Sequence, residues 1–169
     1  GKNNHVLLPD APASNLMSFL DGVSYSFFED FDLRDSRYDL MICLDYNHPH
    51  RVGDKMKSFV LELNAPKIMI DHHPNPTEFC DLTISRPEVC STAQLLYEVL
   101  QECQLHTYLT KEACEALYLG IMTDTGSFRF PSVTAKTHDV LKELLSKGVE
   151  AYTIHERVFD QNTKERVQL

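Results

Sequence analysis

The 169-residue sequence has no apolar run that approaches the roughly 20 residues needed to cross a bilayer. Residues 1–5 also lack the apolar stretch of a secretion signal. The five cysteines are an odd number without a Cys-x-x-Cys pair, and several lie in apolar segments, so we expect free buried thiols rather than disulfides. These absences argue against a membrane span and predict a protein of the reducing cytoplasm.

Positive charge is also scarce, because 16 lysine and arginine residues stand against 25 aspartate and glutamate residues, for a formal net charge of −9. Proteins hold long nucleic acid chiefly through lysine and arginine, so this balance argues against such a partner. It is compatible with a short or metal-bridged nucleotide, because acidic residues cluster around divalent ions. With 43% hydrophobic residues the chain can bury one core, and we expect a single domain over residues 1–169.

Strand and helix patterns alternate along the chain, without repeats or low-complexity segments. This alternation predicts an α/β fold with a doubly wound, mostly parallel sheet and helices on both faces. Short apolar runs predict strands at residues 6–8, 23–28, 38–44 and 67–70. Helical spacing predicts helices at residues 13–20, 51–63, 92–103, 111–122, 137–147 and 151–159. Residues 116–122 have no clear polar face, so a buried strand is an alternative there.

Three of the apolar runs lead into acidic or imidazole side chains. The triplet Asp71-His72-His73 directly follows one predicted strand, and Asp45 directly follows another. Asp124 comes after a third apolar run, in a turn-like segment that contains a glycine. The carboxyl ends of strands are where open α/β sheets keep their active sites. We therefore expect these side chains to meet at one edge of the sheet.

These residue types are ligands for divalent metals. Carboxylate oxygens suit hard cations, and an added imidazole shifts the preference toward transition metals such as Mn²⁺. Two ions about 3.5–4 Å apart can bind a phosphate, lower the pKa of a water and stabilise the leaving oxygen. An aspartate after a strand is also often a helix cap or turn residue, and adjacent histidines occur on surfaces by chance. Both alternatives stay open, although neither explains why three segments all end in ligand types.

The motifs around these residues resemble the DHH family of two-metal phosphoesterases. The Asp-His-His triplet at 71–73 follows a hydrophobic strand, with Cys43-Leu44-Asp45 upstream and the segment GIMTDTGSFRF at 120–130 downstream. Within the family, the chain is most similar to the bacterial oligoribonucleases often called nanoRNases. The resemblance covers essentially the whole chain and implies two Mn²⁺ ions, with Mg²⁺ or Co²⁺ as substitutes.

The resemblance also implies a role for each motif residue. Asp45 would bridge both metals, and His72 and Asp124 would bind the second one. Asp71 would orient the ligand histidine, as carboxylates behind a metal ligand generally do. His73 would approach the phosphate or the attacking water.

Four other residues near these motifs have simpler interpretations. Arg129 is a weak candidate for a phosphate contact, because guanidinium binds phosphate in a forked geometry, and a surface ion pair is the alternative. His48 and His50 follow Asp45 in a loop, where we expect them to be exposed to solvent rather than ligands. We expect Ser91 to cap the helix that begins at residue 92, rather than to act in the site.

The family's first motif, a pattern like DHxxPDxDA, does not occur in this sequence, and neither does the C-terminal domain that binds substrate through basic residues. We therefore expect an N-terminally truncated DHH domain that has little or no activity by itself. In its complete form, the resemblance implies cytoplasmic hydrolysis of short RNA oligonucleotides or 3′,5′-bisphosphorylated adenosine, and pairing into homodimers. The alternatives are pyrophosphate or cyclic-dinucleotide hydrolysis and, if the chain is complete as it stands, a metal-binding module without catalysis.

Overall fold

The computed structural model describes residues 3–31 and 37–160. In these ranges the strands are parallel and form two small sheets. The first sheet pairs β1 (Val6–Leu8) with β2 (Tyr25–Phe27). The second sheet has the order β3-β4-β5 and consists of β3 (Met41–Leu44), β4 (Lys67–Asp71) and β5 (Leu82–Ser85).

Helices follow most of the strands. They are α1 (Ser14–Met17), α2 (Asp54–Glu62), α3 (Thr92–Glu102), α4 (Lys111–Asp124), α5 (Ala135–Ser146) and α6 (Ala151–His155). The uncertainty over residues 116–122 is thereby decided in favour of a helix. Within the described ranges, every helix is too short or too polar to span a bilayer.

Helices pack on both faces of the sheet β3-β4-β5. Successive residues of a strand point to opposite faces, so a single strand can contribute apolar side chains to both sides. Cys43 of β3 and Met69 of β4 pack on one face against Val60 of α2. Ile70 of β4 points to the other face and packs against Leu95 of α3. This arrangement confirms the predicted α/β fold with parallel strands and helices on both sides.

A second core lies among helices α3 to α6. Tyr97, Ile121, Leu144 and Ile154 belong to it, one residue from each helix. Helix α4 crosses the interior here, which explains why its second half carries little polar surface. Burial of α4 also fixes the position of its last residue, Asp124.

The boundaries differ from prediction where local geometry intervenes. The helix expected over 51–63 begins at Asp54, because Gly53 adopts a φ of +79° after a 3₁₀ turn at Pro49–Val52. The helix expected from residue 137 begins at Ala135, since Thr134 and Thr137 form a capping box ahead of it.

Strand β5 was not predicted. Its sequence, Leu-Thr-Ile-Ser, has only two apolar residues, which is too short a pattern to recognise alone. The segment becomes a strand because its backbone pairs with β4. All five cysteines are free, and Cys43, Cys90 and Cys114 are buried, as the composition predicts.

Candidate metal centre

Asp45 lies at the end of β3 in a conformation that is uncommon for residues other than glycine. Its φ is +64°, in the left-handed region, while its backbone N–H still donates to the carbonyl of Ile70 on β4, with an N–O distance of 3.2 Å. Strain of this kind is concentrated at functional sites. The side-chain Oδ1 accepts a hydrogen bond of 2.8 Å from the hydroxyl of Thr92.

Asp71 is the last residue of β4 and is completely buried. Both of its carboxylate oxygens contact His73: Oδ2 accepts from the backbone N–H at 2.9 Å, and Oδ1 accepts from ring Nδ1 at 2.8 Å. Because the carboxylate can only accept, Nδ1 of His73 carries the proton, and the neutral ring keeps a lone pair on Nε2.

His72 is oriented by a backbone carbonyl. Its Nδ1 donates to the oxygen of Val89 at 3.1 Å, so Nε2 is left with a lone pair in the neutral ring. The expectation that Asp71 orients the ligand histidine His72 therefore differs from the structure. The carboxylate of Asp71 turns toward the N–H two residues ahead, and this turn brings the ring of His73, rather than that of His72, over the same carboxylate.

The structure brings the three predicted metal ligands together. Nε2 of His72 lies 3.6 Å from Oδ2 of Asp124 and 3.9 Å from Oδ1 of Asp45. His73 joins them, because Asp45, His72 and His73 each offer a ligand atom within 4.8 Å of the others. We call the set Asp45, His72, His73 and Asp124 the cluster.

The electrostatics of the cluster favour a cation. Burial raises the pKa of the Asp124 carboxyl above its ordinary value, and the charge of Asp45 raises it further, against smaller opposing effects of His72 and His73. Asp124 also ends helix α4, where the helix dipole is negative. Two carboxylates and two imidazoles with available lone pairs form a donor set that fits Mn²⁺ or a similar transition metal.

Two residues next to the cluster were not among the predicted site residues, although the family resemblance implies that the Ser91-Thr92 pair lies near the site. One is Thr92, whose hydroxyl contacts Asp45 across 47 positions of sequence. The other is Arg51, which lies in the 3₁₀ turn after β3 and places Nη2 3.3 Å from Nε2 of His73. A basic residue shortly after Asp45 was the only available signal for Arg51, and the chain gives no local signal for Thr92.

The remaining candidates lie as follows. Arg129 is exposed, and its Nε donates to the carbonyl of Gly126 at 2.6 Å. His48 and His50 contact each other, with ring centroids 4.0 Å apart, and His50 is exposed. Ser91 caps α3 as predicted, because its hydroxyl accepts from the backbone N–H of Gln94 at 3.0 Å.

An open, largely apolar cavity of about 450 Å³ lies beside Asp45 and Asp124. The exposed side chain of Leu44 on β3 forms one wall, and Leu96 and Ala116 on helices α3 and α4 contribute to the others. The two carboxylates of the cluster therefore line a concave surface.

Known proteins are similar in sequence to part of this chain. The chain is 30% identical over 122 residues to the bifunctional oligoribonuclease and PAP phosphatase NrnA of Bacillus subtilis, covering 72% of this chain and 38% of that protein. It is 32% identical over 119 residues to the corresponding Thermus thermophilus protein, covering 70% of this chain and 34% of the relative. The chain thus spans well under half the length of these curated relatives.

Solved structures show the same fold. An exopolyphosphatase-related protein from Bacteroides fragilis superposes with a TM-score of 0.91 and 31% identity, over 96% of this chain and 49% of that one. A Methanococcus jannaschii putative family II inorganic pyrophosphatase superposes with a TM-score of 0.57 and 19% identity, over 85% of this chain and 47% of that one. This second similarity concerns the fold alone.

The family model described as the DHH family, N-terminal domain, matches residues 2–121. The match includes Asp45 and the Asp71-His72-His73 triplet, and it ends three residues before Asp124. Since it covers more than two thirds of the sequence, the chain belongs to the DHH family.

Proposed function

We propose that the cluster supplies part of the ligand set of a two-metal site and that, in its complete form, the protein is a metal-dependent phosphoesterase. The observation that carries the proposal is the convergence of Asp45, His72 and Asp124, which come from two strand ends and one helix end. Membership of the DHH family supports the same class of chemistry.

In this proposal Asp45 would be a ligand of both metal ions, and His72 and Asp124 would be ligands of one of them. Mn²⁺ is the first choice because the donor set mixes carboxylate and imidazole, with Mg²⁺ or Co²⁺ as substitutes. When bound, two such ions lower the pKa of a water toward neutrality and stabilise negative charge on the phosphate oxygens.

The other residues of the chain position the substrate and handle the proton. Asp71 holds the ring of His73 so that the Nε2 lone pair faces Arg51, where it could accept a proton from the attacking water or contact a phosphate that displaces the guanidinium. Arg51 is the guanidinium nearest to this nitrogen and can bind a phosphate oxygen in its forked geometry. Arg129 ranks behind Arg51, because its Nε is already engaged by the carbonyl of Gly126.

The proposed substrates are short oligoribonucleotides and 3′,5′-bisphosphorylated adenosine. Two relatives at about 30% identity are named for these two activities, which is the support for this choice. The net charge of −9 favours short substrates over long nucleic acid. We further propose a single domain over residues 1–169 and a cytoplasmic location, as the sequence predicts, and a homodimer, as the family resemblance implies.

The second candidate keeps the cluster and changes the substrate. A fold shared with a putative inorganic pyrophosphatase is the observation in its favour, and cyclic dinucleotides are a further option within the same family. A third candidate is a metal-binding module without catalysis, which would bind Mn²⁺ and hydrolyse none of these compounds.

A substrate panel separates these candidates. The purified chain is incubated with Mn²⁺ and, separately, a diribonucleotide, 3′,5′-bisphosphorylated adenosine, pyrophosphate or a cyclic dinucleotide, beside an Asp45→Asn variant. Because the chain is expected to have little activity by itself, we expect only slow release of mononucleotides from the first two, and none from the variant. Preferential hydrolysis of pyrophosphate or the cyclic dinucleotide would favour the second candidate. No hydrolysis with Mn²⁺, Mg²⁺ or Co²⁺ would contradict catalysis by this chain and favour the metal-binding module.

A further inference from the structure

The end of the loop after β5 and the first residue of α3 contact two of the predicted metal ligands, which follow two different strands. The carbonyl of Val89 accepts from Nδ1 of His72 at 3.1 Å. Three residues later, the hydroxyl of Thr92 donates to Oδ1 of Asp45 at 2.8 Å. A single short stretch, residues 89–92, therefore fixes side chains that leave the ends of β4 and β3.

The hydroxyl of Thr92 is available for this contact because it does not cap helix α3. Thr92 is the first residue of α3, and the exposed N–H groups there are served by the N-cap Ser91, which accepts from Gln94. Thr92 is only 6% exposed, so its hydroxyl is withheld from most solvent competition. In the part of the chain that the structure describes, Asp45 is the hydrogen-bond partner of this hydroxyl.

The side chain of Asp45 needs such a partner. It is 55% exposed and belongs to a residue whose own φ is +64°, so packing alone does not fix its torsion angles. The oxygen that Thr92 holds, Oδ1, is also the one that lies 3.9 Å from Nε2 of His72. Holding Oδ1 thus sets both the direction of the carboxylate and its distance from the neighbouring imidazole.

We propose that Thr92 is a positioning residue that presents the carboxylate of Asp45 to metal, in concert with the carbonyl of Val89 that presents His72. This inference rests on the proposed function, since it assumes that Asp45 and His72 are ligands. Groups that orient a ligand from behind typically change metal affinity 10- to 100-fold when they are removed. We therefore expect loss of the Thr92 hydroxyl to weaken metal binding by a factor in that range.

The test is calorimetric titration of Mn²⁺ into the wild-type chain and three variants, with thermal unfolding of the metal-free proteins measured in parallel. Thr92→Val removes the hydroxyl and keeps the shape, whereas Thr92→Ser keeps the hydroxyl. Thr123→Val is the matched control, because Thr123 lines the same cavity while its hydroxyl bonds only to the carbonyls of Leu119 and Gly120 within α4.

We expect about 10- to 100-fold weaker binding in Thr92→Val, near-normal binding in Thr92→Ser and no change in Thr123→Val, at similar melting temperatures. Equal affinity of wild type and Thr92→Val would overturn the positioning role and leave the metal site standing. No binding by the wild type would instead reject the metal site itself. If Thr92→Val does not fold, Thr92→Ala replaces it, and loss of the fold in both would show that the hydroxyl serves stability and overturn the proposal.

Discussion

Replacement of Asp71 by asparagine tests how the second histidine of the triplet is held. The buried carboxylate accepts two hydrogen bonds from His73, one from the backbone and one from ring Nδ1. Asparagine offers one oxygen and one NH₂ group in the same space, so it can satisfy only one of these donors. If the backbone keeps the oxygen, the NH₂ group faces Nδ1 and forces the proton of the ring to Nε2.

The expected loss of stability in Asp71→Asn follows from the hydrogen bonds that the substitution weakens. A hydrogen bond to a charged group contributes about 1.5–3 kcal/mol, so Asp71→Asn should lower the free energy of unfolding by about that amount. The tautomer change would also remove the lone pair on Nε2 of His73, which faces Arg51 at 3.3 Å. Any hydrolysis by the chain should fall accordingly.

Nitrogen-15 NMR of the imidazole rings reports the tautomer directly, and urea unfolding gives the stability. His72 is an internal control, because its Nδ1 is held by the carbonyl of Val89 and not by Asp71. We expect the ring signals of His73 to change and those of His72 to stay. A change at His72 with an unaltered His73 would refute this account and restore the original expectation that Asp71 orients His72.

Three further predictions concern charge. Burial and Asp45 raise the pKa of Asp124 in the folded chain, so the stability of the metal-free protein should fall as the pH rises through that pKa. Asp124→Asn should remove this fall and raise the melting temperature at pH 7. An unchanged melting temperature would contradict the repulsion between Asp124 and Asp45. The side chain of Glu98 is only 3% exposed and forms an ion pair with Lys136 at 2.6 Å. Glu98→Gln should therefore lower the free energy of unfolding by about 2–3 kcal/mol, which is less than for a fully buried ion pair because Lys136 is 62% exposed. The exposed Glu102→Gln should cost less than about 1 kcal/mol, and equal losses would be inconsistent with the role of burial. Arg51→Gln should raise KM for a nucleotide substrate about 10- to 100-fold, whereas Arg129→Gln should change KM little. A larger effect of Arg129→Gln on KM would favour Arg129, the residue chosen from the sequence.

Features encoded by neighbouring residues could be predicted from the sequence. The apolar runs that become β3 and β4 identified Asp45 and the Asp71-His72-His73 triplet as strand-end residues, because strand period and turn residues are local signals. The same logic worked for Ser91, since a serine before an apolar helix pattern is a local cap signal.

Features that depend on contacts between residues distant in sequence could not be predicted in this way. The family resemblance implies that Thr92 lies near the site, but no local pattern shows that it reaches Asp45 or that Val89 supplies the carbonyl for His72, because both contacts depend on how α3 packs on the sheet. The hydrogen-bond partner of Asp71 was expected to be His72 but is His73. Both histidines are close to Asp71 in sequence, and the turn after β4 determines which ring contacts the carboxylate.

The central claim is that the cluster, and not the neighbouring histidine pair His48 and His50, binds metal. Calorimetric titration of Mn²⁺ into the wild-type chain, His72→Gln and His50→Gln tests it most directly. We expect the wild type and His50→Gln to bind Mn²⁺ alike and His72→Gln to lose the binding. Binding that survives in His72→Gln but disappears in His50→Gln, or no binding by the wild type, would contradict it.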